Sequence, residues 1–134
     1  MHYLTIKFVQ KPLEPNTDED LLWLCKSLGF VSLRDTEETA AKIFKAIVDA
    51  TKEGKTLSSD EIAHLSDITR GTAVYHLREY IQAGMVTQNN KKYTLRTRSL
   101  HHTLEEMEHD MIRMFEDMKR IAKEIDSQLG LKER

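Results

Sequence analysis

The sequence predicts a mainly α-helical chain with one small β-hairpin and a long C-terminal helix, and three observations carry that prediction. Apolar residues recur at helical spacing along most of the 134 residues, with only 5 Gly and 2 Pro to interrupt them. Two short β-prone runs flank a polar tract, Asn89-Asn90-Lys91-Lys92, that has the turn chemistry of a hairpin. From Leu100 onward the apolar positions alternate four- and three-residue steps without a break, which is a heptad seam. The length suits one compact core with an appendage.

Each element follows from local chemistry. In residues 3–10, Leu4, Ile6 and Phe8 fall on one side at period two, as in a half-buried strand or an extended arm, and Pro12 and Pro15 end the segment. Thr17 is a candidate cap for a short helix over 18–28, in which Leu21, Leu24 and Leu28 share a face beside Trp23 and Gly29 supplies the left-handed stop. Asp35 and Glu38 resemble a capping box for a second helix over 36–52, with Ala40, Ile43, Phe44, Ile47 and Val48 inward. Ser58 and Glu61 repeat that spacing before Ile62, Ala63 and Leu65, and Ser66-Asp67 reads as a turn. Thr69 then caps a helix that directs Val74, Leu77, Tyr80 and Ile81 inward and stops at Gly84. Met85-Val86-Thr87-Gln88 and Tyr93-Thr94-Leu95-Arg96 are the arms of the hairpin. The last helix carries Leu100, Leu104, Met107, Met111, Met114, Met118, Ile121 and Ile125 as its seam, with Phe115, Ala122 and Leu129 beside it. A stripe that wide needs more cover than the preceding domain offers, so pairing with a second chain is expected. Early acids (Glu105, Glu106, Glu108, Asp110) and late bases (Lys119, Arg120, Lys123) favour an antiparallel pair, although exposed pairings contribute only ~0.2–1 kcal/mol each.

Charge is unevenly placed. The whole chain is −2, yet residues 69–98 hold Arg70, Arg78, Lys91, Lys92, Arg96 and Arg98 against the single acid Glu79. That segment is the candidate electrostatic footprint for a polyanion.

The run from Ser58 to Val86 resembles the helix-turn-helix of winged-helix transcription regulators, closest to ArsR- and MarR-like groups of archaea and bacteria. The pattern is carried by Thr72-Ala73-Val74-Tyr75-His76-Leu77, Tyr80 in place of the usual Leu, and Ala83-Gly84-Met85-Val86. The resemblance covers residues 36–98. It implies a DNA-reading domain over 36–98; the residues outside it divide into an N-terminal strand and short-helix extension over 1–35 and, from the heptad seam, a dimerisation helix over 99–134. It also implies that the 69–83 helix enters the major groove while the hairpin serves as a wing on the backbone or minor groove. The residues fit those roles chemically: Arg70 can bond guanine, Thr69, Thr72 and the first-turn amides can hold phosphate, and Gly71 permits close approach. Tyr75 and His76 face the groove in that arrangement, and Lys91, Lys92, Arg96 and Arg98 form the basic strip of the wing. The expected activity is therefore sequence-specific binding of double-stranded DNA by a homodimeric regulator, repressing by occlusion. Two recognition helices about 34–36 Å apart would read a palindromic site.

A winged-helix module for protein interaction, with only sequence-blind DNA affinity, is the alternative. A small-molecule effector, held around Trp23 and Phe115, is a nested possibility of the regulator reading. His102, Glu106 and His109 fall at i, i+4 and i+7, but they lie behind the seam and there is no second cysteine to join Cys25, so no metal site and no cofactor are expected. There is no GxSxG, HExxH or Gly-rich phosphate loop, so catalysis is not expected. The lone cysteine and the lack of a long apolar run point to a reducing compartment, the cytoplasm.

Overall fold

A computed structural model describes residues 4–31 and 37–132. Among these the chain forms α1 (Thr17–Ser27), α2 (Glu37–Lys52), β1 (Leu57–Ser58), α3 (Ser59–Ser66), α4 (Arg70–Gln82), β2 (Val86–Asn89), β3 (Lys92–Leu95) and α5 (Leu100–Leu129). The fold is thus mainly α-helical with a small antiparallel sheet, in the order β1-β3-β2. None of the described helices is long and apolar enough to cross a membrane.

One helix start differs in detail from the sequence reading. The N-cap of α1 is Asn16, whose Oδ1 accepts the Glu19 amide at 3.1 Å, so Thr17 is the first helical residue and not the cap. Asn leads Thr at this position because its carbonyl reaches the orphan amide with less constraint. The expected pair Asp35 and Glu38 falls outside the described residues. At α3 the Ser58–Glu61 box is closed in both directions, Ser58 Oγ accepting the Glu61 amide and Glu61 Oε1 accepting the Ser58 amide, each at 3.1 Å.

Residues 4–14 pair with no strand, so the period-two row does not form the buried face of a sheet. They make an extended arm laid on the end of α1. The Lys7 amide donates to Ser27 O at 2.8 Å and the Trp23 indole donates to Val9 O at 3.0 Å. Gly29 serves here twice over. Its φ of +77° ends α1, and a Cβ there would stand 2.4 Å from the Thr5 carbonyl oxygen. With Thr5 and Val9 over α1, the opposite row points away from it: Leu4 is half-buried, while Ile6 and Phe8 are exposed.

One buried cluster runs from Leu21, Cys25, Leu28 and Phe30 through α2, α3, α4 and the sheet to Met107. Residues 21–30 therefore contribute directly to the core. At its centre is Tyr80, fully buried, with its ring edge-on to Phe30 at 4.6 Å and tilted against Phe44 at 6.1 Å. Its hydroxyl donates to the Ala40 carbonyl at 2.8 Å, joining α4 to the first turns of α2. Burial pushes the Cys25 thiol up to about 12, despite a hydrogen bond with Tyr80, so it is an inert packing group at neutral pH.

The long helix is held by two devices at its base. Ser99 caps it by accepting the His102 amide, and buried Thr103 accepts the Thr97 amide at 3.2 Å while donating to Ser99 O at 2.8 Å. Beyond these, the seam divides in two. Leu100 and Leu104 are partly buried on the core and Met107 fully so, whereas Met114, Met118, Ile121 and Ile125 are each about half exposed. The expectation of one interchain seam from Leu100 to Ile125 is corrected accordingly: its first turns are covered by their own domain. The helix does not fold back along α1, and every residue from 112 to 125 is exposed.

Replacing Tyr80 by Phe removes one buried hydrogen bond and strands the link to α2, and it is expected to destabilise the fold by about 1–2 kcal/mol. Urea unfolding checks this; a variant as stable as the parent would show that the hydroxyl does not tie the two helices.

Candidate nucleic-acid interface

The turn between α3 and α4 occupies Asp67, Ile68 and Thr69. Asp67 sits at φ 54° and ends α3 in the left-handed conformation that Asp tolerates better than most residues. Thr69 caps α4, its Oγ1 accepting the Thr72 amide at 3.2 Å and lying 2.9 Å from the Thr72 hydroxyl. Ala73, His76, Leu77 and Tyr80 are buried, while Val74 and Ile81 are only partly covered. The inward face is therefore turned by about one position from the expected Val74, Leu77, Tyr80, Ile81 set, because Tyr80 anchors the helix on α2.

That rotation fixes what faces out. Gly71, Tyr75, Arg78 and Gln82, spaced by four, three and four residues, form an exposed row, with Arg70 and Thr69 at its N-terminal end. His76, expected in the groove, is fully buried, its ring edge-on to Tyr75 at 5.3 Å. It supports Tyr75 from inside and cannot touch an external ligand. Arg70 leans back on α3, with its Nε 3.4 Å from Ser59 Oγ and 3.5 Å from Asp60 Oδ1, but its side chain remains largely open. Arg78 pairs with neither Glu79 nor Asp67; among the described residues it makes no ion pair. Around Gly71 there is open space, so nothing inside the fold requires a glycine in this helical turn.

The hairpin turns on Asn90 and Lys91, with φ of 50° and 62°, and Asn89 registers with Lys92. Two successive positive φ values are the type I′ turn that suits the right-handed twist of the strands. Asn accepts this conformation, but Lys pays about 1–2 kcal/mol for it where Gly would not. A cation stands at the tip where stability alone favours glycine. Lys92, one residue on, points back instead: its Nζ lies 2.9 Å from Glu61 Oε1. The reason is β1, an element with no signal in the sequence pattern. Its Ser58 registers with Lys92, which brings β3 alongside the capping box of α3.

Arg96, expected on the basic strip, is also corrected. Its guanidinium donates to Gly84 O at 3.3 Å and to both Asp110 oxygens, at 2.6 and 3.3 Å, and its Nε lies 2.8 Å from Glu106 Oε2. Asp110 is nearly buried and also accepts from Arg113. Arg96 is thus a strut between the hairpin and α5. Arg98 and Lys91 remain exposed. The outward cations are Arg70, Arg78, Lys91 and Arg98, with Lys92 shared with Glu61. The sequence reading places Arg78 only in the basic segment and Asp110 only among the early acids of the long helix. The signal for Arg78 is its place three residues from Tyr75 and four from Gln82 along one face; an acid buried by a partner fourteen residues away leaves no such trace.

His102, Glu106 and His109 lie exposed on α5, with His102 near Glu105 and Glu106 held by Arg96. Among the described residues no group of three or more His, Cys, Asp or Glu is placed to hold a metal ion. No protein-family model, curated protein or solved structure matches this chain.

Glu61 is held down to about 2, first by Lys92 and then by the Ser58 amide and hydroxyl. Its folded-state value lies below the unfolded one of 4.5, so the stability it contributes is full above that value and is lost as pH falls toward 2. Urea midpoints of the parent and Glu61→Gln are expected to differ at pH 6, to draw together as pH falls below 4.5, and to converge only below about pH 2. Parallel curves would show that the carboxylate does not hold the hairpin to α3.

Proposed function

We propose that this chain is a winged-helix regulator that binds double-stranded DNA as a homodimer, with α4 as the recognition helix and the β2–β3 hairpin as the wing. The observation that carries the reading is that α4 and the wing each give up stability to present a surface. Gly71 sits in a helical turn where Ala would fit and favour folding, and Lys91 sits in a left-handed turn where Gly would. Both positions are exposed, and both suit a phosphate backbone: one by allowing close approach, the other by placing a charge. Thr69 and the free amides of the first turn of α4 lie beside Gly71, where a helix N-terminus is partly positive. Arg70, Arg78, Gln82 and Tyr75 supply the chemistries that read base edges or lie along sugar and backbone. Lys91 and Arg98 contribute sequence-blind attraction, and Lys92 joins them when it exchanges Glu61 for phosphate. His76 and Arg96 act indirectly, the first beneath Tyr75 and the second by holding the wing against α5. Repression by occlusion of a palindromic site is the mode this arrangement favours, and the chain carries no catalytic role in it.

Gly71→Ala is expected to stabilise the fold by about 0.5–1 kcal/mol, and Lys91→Gly by about 1 kcal/mol, while both weaken binding to duplex DNA. Lys91→Gly should weaken all sequences alike and lower the salt slope by about 1, whereas Arg70→Ala should cost about 1–3 kcal/mol on a preferred site and blur its sequence. Urea unfolding and fluorescence anisotropy on the same proteins check both halves. Variants that gain stability and bind DNA as tightly as the parent would contradict the reading.

A further inference from the structure

Between the arm and the long helix lies an apolar groove lined by Leu4, Ala83, Met107, Met111, Phe115 and Met118, with Asp110 at its edge. The arm extends this surface, because Ile6 and Phe8 share the row of Leu4 and are exposed. We propose that the groove is the seat for the C-terminal turns of α5 from a second copy, which runs antiparallel and buries its Ile121 and Ile125 there. This rests on the dimer of the preceding section and specifies its geometry.

Three features select this occupant. The first is width. Beyond Phe115 the helix carries three apolar rows, since Ala122 and Leu129 run beside the seam of Met118, Ile121 and Ile125. A parallel partner helix covers two rows and would leave the third in water, because residues 119–125, beyond the groove, are all exposed. An antiparallel partner delivers those turns to a domain, where one row meets α5 and the other meets the arm. The second is register. An antiparallel pair sets the two kinds of seam position against each other, so Met118 faces Met114, Ile121 faces Met111, and Ile125 reaches the groove above Met107. The side chains that line the groove are those that this alignment requires. Third is area. Ile112, Met114, Phe115, Met118, Ile121, Ile125 and Leu129 are each 47–70% exposed. With Ile6 and Phe8 they offer a surface of the order of the ~800 Å² per partner that a stable interface buries. The methionines fit a groove that takes branched side chains from another chain, since an unbranched thioether adapts its shape. Charge has less say in orientation than the sequence suggested, for Arg113 and Arg120 are already held within their own helix by Asp110 and Asp117.

Cysteine cross-linking of the full chain tests the seat. Leu4→Cys protein is mixed with Ile125→Cys protein, allowed to exchange subunits, oxidised and run on a non-reducing gel, beside Ile125→Cys alone. The expected result is a two-chain species from the mixture and none from Ile125→Cys alone, because the two copies of residue 125 then stand roughly 27 Å apart along the helices. Sedimentation of Ile125→Asp should show a dimer dissociation constant raised at least tenfold. A parent dimer in which Ile125→Cys cross-links to itself and not to Leu4→Cys would overturn the antiparallel seat and leave the dimer standing. A parent that sediments as a monomer at tens of micromolar would overturn both.

Discussion

Much of this molecule depends on where the Tyr80 hydroxyl goes. A buried phenol must find an acceptor, and this one donates to the Ala40 carbonyl of α2, with Phe30 and Phe44 closing around the ring. That bond fixes the rotation of α4 about its axis. Because side chains on a helix are locked in phase, fixing Tyr80 inward also places His76 and Ala73 inward and sends Gly71, Tyr75, Arg78 and Gln82 out. A leucine at 80 would leave the helix freer to choose its phase. The composition of the outward face is thus set by a hydrogen bond on the opposite side.

A second constraint links that face to the long helix. Asp110 is almost buried, and a carboxylate there needs charged partners, which Arg96 and Arg113 provide. Arg96 follows directly on β3, and its neighbour Thr97 is knotted to Thr103 and Ser99. The hairpin and α5 therefore move as one piece. In a dimer joined through α5, this strut sets the distance between the two wings and, through the shared core, between the two α4 helices. If α4 and the wing bind DNA as proposed, Arg96 contributes as a strut and not as one more surface cation.

Much of the fold was legible in the sequence, because most of it follows from short-range signals. The Ser58–Glu61 box and the Thr69 cap each lie within a few residues and stand in the structure as their spacing implies, and the heptad steps fall on one continuous helix. What was not legible depends on distant partners. Leu57 and Ser58 make too short a run to announce a strand, and β1 exists only because β3 comes alongside. Lys92 and Arg96 look like their neighbours Lys91 and Arg98 in the sequence, yet Glu61 and Asp110 engage the first two and not the others. His76 is one residue from Tyr75, and only the phase imposed by Tyr80 separates a buried ring from an exposed one. The choice between strand and arm was open for a related reason: alternation reports which residues share a side, not which side is covered.

The central claim is that the outward face of α4 and the hairpin tip together bind duplex DNA in a dimer. Its most direct test is fluorescence anisotropy of the parent protein on random-sequence duplex and on duplex from upstream of its own gene, across a salt series, with the oligomeric state checked by sedimentation. The account predicts a dimer that prefers one duplex and whose affinity falls steeply as salt rises. A protein that binds both duplexes equally and weakly, or neither, would contradict it and turn attention to a protein partner for the same surface.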